Sequence, residues 1–212
     1  MTELLPELAV PGVVRLGDPG RAPVVPGDLF ADRTVWLEIG FGGGEHLAHQ
    51  AALRPEIGFI GCEPFINGVA MLLARVEAEG LRNVRVHPGD ARDLLDLLPD
   101  GCLGRVFLHY PDPWPKTRHR DRRFMNAENL ASLARVMARG AELRLASDVD
   151  AYVRHAVRAA AAAGAFALEG VSQDWRTPWP DWRTTRFEAR AQREGRSPQY
   201  LTFRRLPRAS DS

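Results

Sequence analysis

Residues 34–55, TVWLEIGFGGGEHLAHQAALRP, decide how the rest of the chain is read. TVWLEIG is a short apolar run ending in glycine, which predicts a buried strand. GEHLAHQAALRP predicts a helix ended by Pro55. Between them Gly40, Gly42, Gly43 and Gly44 let the backbone turn tightly and approach a ligand closely, and the following helix presents free N–H groups to it. A dinucleotide site uses G-x-G-x-x-G. Here the spacing is G-x-G-x-G, with Glu38 two residues before the first glycine. A carboxylate there repels a pyrophosphate and suits a ligand carrying a sulfonium and an α-amino group. The competing reading is a capping or surface acid.

Outward from this unit, strand and helix alternate. IGFIGCE, NVRVH, GRVFLHY and AELRLAS predict further strands, and AFALEGV with PQYLTFRR predicts a closing pair. NGVAMLLARVEAEG, DARDLLDLL, AENLASLARVMARG (stopped by Gly140) and DAYVRHAVRAAAAAG predict helices. This order predicts an α/β fold: a mostly parallel sheet with helices on both faces. Ligands of such sheets sit beyond the carboxyl ends of the strands. The second strand ends in Glu63, a candidate acceptor for ribose hydroxyls, and the third is followed by Gly89-Asp90-Ala91. Asp90 suits an adenine amino group or, equally, the cap of the next helix. Residues 1–33 are rich in Pro and Gly and read as an irregular arm before a single domain over 34–208.

The fourth strand runs into HYPDPWPKTRHRDRR, residues 109–123. Pro111, Pro113 and Pro115 stiffen this loop and bar a helix until they are passed. Asp112 lies between two prolines beside Trp114, and the basic run that follows opens with Lys116, the sole lysine of the chain. A second basic stretch, from Arg183 to Arg208, holds eight Arg and two Glu beside Trp175, Trp179, Trp182 and Phe187. Arginine interleaved with aromatic rings suits RNA, whose phosphates need cations and whose splayed bases need stacking surfaces. Net charge is only +1, so any basic surface is local.

Cys62 and Cys102 form no CxxC and read as free thiols, and no run is apolar enough to span a membrane. A cytoplasmic location is the resulting expectation. The six histidines and two cysteines show no metal-ligand spacing, and no obligatory protein partner is called for.

LEIGFGGG, YPDPWPKTRHRDRR, Ala146-Ser147-Asp148 and TRFEARAQREG at 185–195 together resemble the bacterial tRNA (guanine-N7)-methyltransferases, from about Val35 to Arg205. The resemblance implies a Rossmann-like class I methyltransferase with a seven-stranded sheet, using S-adenosylmethionine and no metal, with tRNA as partner. It implies that Glu38, Glu63, Asp90 and Asp112 contact the cofactor, beside Gly40, Gly42, Gly44 and Ala91, and that Asp112 is catalytic. It places Lys116, Asp148, Thr185, Arg186, Phe187 and Glu188 on the substrate. Other readings are a methyltransferase acting on another nucleobase atom or on protein, a non-catalytic RNA-binding module, and a nicotinamide-dependent oxidoreductase.

Overall fold

The computed structural model describes residues 4–11, 20–170 and 175–208. Its centre is a seven-stranded sheet in the order β3-β2-β1-β4-β5-β7-β6. The strands are β1 (Val35–Ile39), β2 (Gly58–Cys62), β3 (Val84–His87), β4 (Leu103–His109), β5 (Met137–Ser147), β6 (Phe166–Leu168) and β7 (Gln199–Arg205). Neighbours from β3 to β5 pair in parallel, and β7 runs antiparallel to both β5 and β6. The order reverses at β1, whose two neighbours are β2 and β4, so a crevice opens beyond their carboxyl ends.

The helices are α1 (Leu4–Leu8), α2 (Pro26–Phe30), α3 (Glu45–Leu53), α4 (Ile66–Glu79), α5 (Ala91–Leu95), α6 (Ala127–Val136), α7 (Asp150–Ala163) and α8 (Arg186–Arg193). Alternation along each strand sends successive side chains to opposite faces. Val35, Leu37 and Ile39 join the larger core with Leu94 of α5, Leu133 of α6 and Val153 of α7. Trp36 faces the other way, into a second core with Leu47 of α3, Leu72 of α4 and Phe107 of β4.

Two local expectations are corrected. The helix expected to run to Gly140 ends at Val136, and Met137 already pairs with Leu103 in the sheet. The buried Met137 is held there by the sheet, a tertiary contact that helical periodicity does not register. The stretch read as an irregular arm contains α1 and α2 and places Val10, Val24 and Phe30 in the core. Ala9 bridges to Val86, and Val10 donates to the Val86 carbonyl at 3.0 Å. Helices of five residues are too short to show a period. The parts of that stretch at 1–3 and 12–19 lie outside the described residues. One further element, α8, was covered by no sequence expectation; eight residues with two buried positions, Glu188 and Ala191, carry little apolar pattern.

Candidate active site

Beyond the ends of β1 to β4 lies a cleft of about 930 Å³. Gly40 and Gly42 border it from the turn after β1, Glu63 from the end of β2, Asp90 and Ala91 from the turn after β3, and Asp112 from the loop after β4. Arg186 and Phe187 border it from α8, which is distant in sequence. Eight of the anticipated residues therefore meet at one opening. Arg92, Arg122 and Arg186 also border it, as do Asp121 and Glu128.

The glycine turn is shaped by what crowds it. Gly42 has φ +58°, and a Cβ there would come 2.8 Å from the Phe187 ring. A Cβ on Gly68, in the first turn of α4, would sit 2.2 Å from the Gly42 carbonyl oxygen. Both glycines are thus set by close approach. Glu63, buried, accepts from Gly42 N–H at 2.8 Å through one carboxylate oxygen and from Phe65 N–H at 2.9 Å through the other. It braces the turn and still borders the cleft. Asp90 caps α5 by accepting from Arg92 N–H at 3.0 Å, and it also borders the cleft. Phe65, 74% exposed, flanks the opening.

Six anticipated residues are not part of the cleft lining. Gly44 is the N-cap of α3. Lys116 is exposed outside the cleft. Asp148 pairs with Arg196. Thr185 caps α8, accepting from Glu188 N–H at 3.3 Å. Glu188, 2% exposed, accepts from the Trp182 indole N–H at 2.6 Å and from the Tyr200 hydroxyl. Its carboxylate anchors the first turn of α8 from below, which sets Arg186 and Phe187 over Gly43 and Gly42. Burial and the Glu188 carboxylate push the Tyr110 phenol above its ordinary pKa.

Glu38, also 2% exposed, follows Trp36 onto the α3 side of the sheet. One carboxylate oxygen lies 2.7 Å from His46 Nδ1 and the other 4.0 Å from His109 Nδ1. The donor atoms of these three residues lie within 4.8 Å of one another, a gathering of metal-ligand types that sequence spacing did not show. The rings of Phe107 and Trp182 pack against both imidazoles. Trp182 belongs to a strap pinned by Asp181, which accepts from Arg54 at 2.7 Å and Arg144 at 2.8 Å. Burial opposes ionisation of Asp181, but Arg144, Arg54 and Arg105 outweigh it and lower its pKa.

Burial, with help from His46 and Arg144, holds His109 well below the ordinary histidine pKa. The folded protein therefore keeps this imidazole neutral where the unfolded chain takes up a proton, below about pH 6.5. Stability falls as pH drops through that value, by up to about 1.4 kcal/mol per unit for one such group. Urea unfolding at pH 7.5 and 5.5 should show a smaller acid loss for His109→Gln than for wild type. Parallel losses would remove His109 from the acid sensitivity.

The second basic stretch divides. Arg205 is buried and donates to the Ala134 carbonyl at 3.0 Å, and Arg204 pairs with Glu169 and Glu142. Arg183, Arg186, Arg190 and Arg193 are exposed. Arg123 is a functional candidate missed as such: read as part of a basic run, it is buried and donates to the Pro113 and Trp114 carbonyls.

Residues 32–200 match a family model described as "Putative methyltransferase". A tRNA (guanine-N(7)-)-methyltransferase of Paracoccus denitrificans is 54% identical over 207 residues, covering 97% of this chain and 87% of that protein. One from Ruegeria pomeroyi is 57% identical over 197 residues, covering 92% and 83%. Among solved structures, the 16S rRNA methyltransferase KamB is similar at a TM-score of 0.60 and 17% identity, covering 94% of this chain and 99% of that one. Precorrin-6y C5,15-methyltransferase from Geobacter metallireducens is similar at 0.56 and 16%, covering 83% and 81%. These two likenesses bear on the fold; the relatives at over half identity bear on descent. The chain belongs to the tRNA (guanine-N(7)-)-methyltransferase family.

Proposed function

We propose that this protein transfers the methyl group of S-adenosylmethionine to N7 of a guanosine in the tRNA variable loop, with Asp112 as the catalytic residue. The observation that carries this reading is the placement of Asp112: this exposed residue shares one cleft with Gly40, Gly42 and Glu63, which Arg122 and Arg186 also border. The donor set fits the cofactor. Carboxylates follow three successive strands, β2 to β4 in chain order by way of Glu63, Asp90 and Asp112, and at Gly40 the turn is open, with nothing within 4 Å of where a Cβ would stand. Glu63 and Asp90 suit the ribose hydroxyls and the adenine amine, with Ala91 beside them. Glu38, which pairs with His46, is outside the lining.

The cofactor, when bound, supplies a methyl on a cationic sulfur. Guanine N7 is a lone-pair acceptor that carries no proton, so attack needs no general base. With the cofactor bound, positive charge would pass from sulfur to the purine, so the residues' task is to align the base and offset that charge. Asp112 accepts from the guanine N1–H or N2 amine, orienting the extruded base and offsetting that charge. Phe187, 48% exposed above Gly42, offers a ring to the base. Arg190 and Arg193 of α8 and Arg183 just before it, all exposed, with Lys116 and Arg118 of the loop, supply phosphate contacts.

Incubation with labelled methyl donor and bulk tRNA, followed by nucleoside analysis, should yield 7-methylguanosine; label in another nucleoside, or none, would overturn the assignment. Lys116→Ala should weaken tRNA binding and reduce the slope of log affinity against log salt by about 1. A slope equal to wild type would take Lys116 off the phosphates.

A further inference from the structure

The loop carrying Asp112 has an unusual backbone problem. Pro111, Pro113 and Pro115 remove three N–H donors from residues 111–115, so the loop has little with which to tie itself down. Two of its residues also hold positive φ without being glycine: Tyr110 at +48° and Trp114 at +40°. Aromatic residues adopt that region only where the surroundings impose it. Asp112 is midway between them.

Arg123 supplies what the loop lacks. Its Nε donates to the Pro113 carbonyl at 2.9 Å and its Nη2 to the Trp114 carbonyl at 3.1 Å. A planar guanidinium spans two successive carbonyls in a way a lysine ammonium does not. Arg123 is itself fixed from behind. Its own carbonyl accepts from Asn126 Nδ2 at 3.0 Å, and Asn126 caps α6 by accepting from Asn129 N–H at 2.9 Å. With 9% exposure, Arg123 is set apart from Lys116, Arg118 and Arg122, which are all exposed.

We propose that Arg123 is a positioning residue: it transmits the rigid start of α6 to the proline loop and thereby fixes the Asp112 carboxylate toward the cleft. It is not a phosphate contact, although the sequence places it in a basic run. The proposal rests on the reading of Asp112 as catalytic.

The test is single-turnover methylation of tRNA by Arg123→Ala and Arg123→Lys at saturating tRNA and cofactor, beside Asp112→Asn. A displaced carboxylate predicts a rate lowered about tenfold to a hundredfold in Arg123→Ala, with tRNA affinity and its salt slope as in wild type. Arg123→Lys should restore little, whereas added guanidinium should recover part of the Arg123→Ala rate and none of the Asp112→Asn rate. Trp114 should become more accessible to acrylamide in Arg123→Ala, read as the difference from a Trp114→Phe background. A wild-type rate at saturating tRNA, with a lower salt slope, would make Arg123 a phosphate contact and overturn the proposal. So would full activity in Arg123→Lys, or a slow Arg123→Ala enzyme that guanidinium does not rescue and whose Trp114 is no more accessible. If Asp112→Asn is fully active while Arg123→Ala is slow and its Trp114 mobile, the brace stands and the role of Asp112 falls.

Discussion

Asp112→Asn is expected to lower the single-turnover rate of tRNA methylation by several hundred-fold, the range seen when one preorganised electrostatic contact to a transition state is lost. The substitution keeps the side chain's size, and the prolines and Arg123 that hold the loop are untouched, so geometry should survive and only charge and one acceptor should go. The effect follows from where charge moves. Before transfer the positive charge is on sulfur; afterwards it is on the purine, next to the proposed position of the Asp112 carboxylate. An amide in that place stabilises the ground state and the transition state nearly alike, so it gives up the differential stabilisation that raises the rate. Affinity for tRNA should change little, because the phosphate contacts assigned to α8 and the loop remain. Single-turnover rates at saturating tRNA and cofactor decide the matter, and a rate within about threefold of wild type would sink the catalytic assignment.

Glu63→Ala should give the second large effect, on cofactor affinity and on stability together. The carboxylate holds two backbone N–H groups, those of Gly42 and Phe65, from a buried position. Hydrogen bonds to a charged group contribute about 1.5–3 kcal/mol each, and removal leaves both donors without this partner. Gly42 sits at φ +58° with the Gly68 backbone pressed against its carbonyl, so loss of the brace frees the turn on which the cofactor would lie. Affinity for S-adenosylhomocysteine, measured by calorimetry, should weaken by about 10- to 100-fold, which corresponds to roughly 1.4–2.8 kcal/mol. The melting temperature should drop by several degrees, since each kcal/mol shifts a domain of this size by about 2–4 °C. Glu63→Gln, which retains one acceptor oxygen, should fall between. Unchanged affinity and unchanged melting in Glu63→Ala would show that the turn holds without its carboxylate.

The strands and longer helices were legible because each reports its environment over many residues. The run Val35–Ile39 is apolar throughout apart from Glu38, and all five residues are buried. Gly40 and Gly42 after it, the acids after β2 and β3, and the proline-flanked aspartate after β4 converge in the cleft, because the strand-end rule applies wherever a parallel sheet forms. Glu38 shows the limit of that rule. Its position next to the glycine turn was clear, but period-two alternation sends it to the opposite face from Ile39, against His46. The TRFE segment shows another. All four residues were singled out for substrate, yet α8 turns Arg186 and Phe187 to the cleft while Thr185 caps the helix and Glu188 is buried beneath it.

From its own order of residues, then, this chain determined a parallel α/β sheet, a crevice at the strand ends and eight of the residues bordering it, since these depend on local periodicity and on backbone freedom. Tertiary structure alone decided which charges face solvent and which serve as internal struts. In sequence Arg123 and Arg205 read as members of basic stretches, and Glu38 and Glu188 as ligand contacts. Each is buried because a partner more than three positions away along the chain, whether a carbonyl, an indole or an imidazole, offsets the cost of removing it from water.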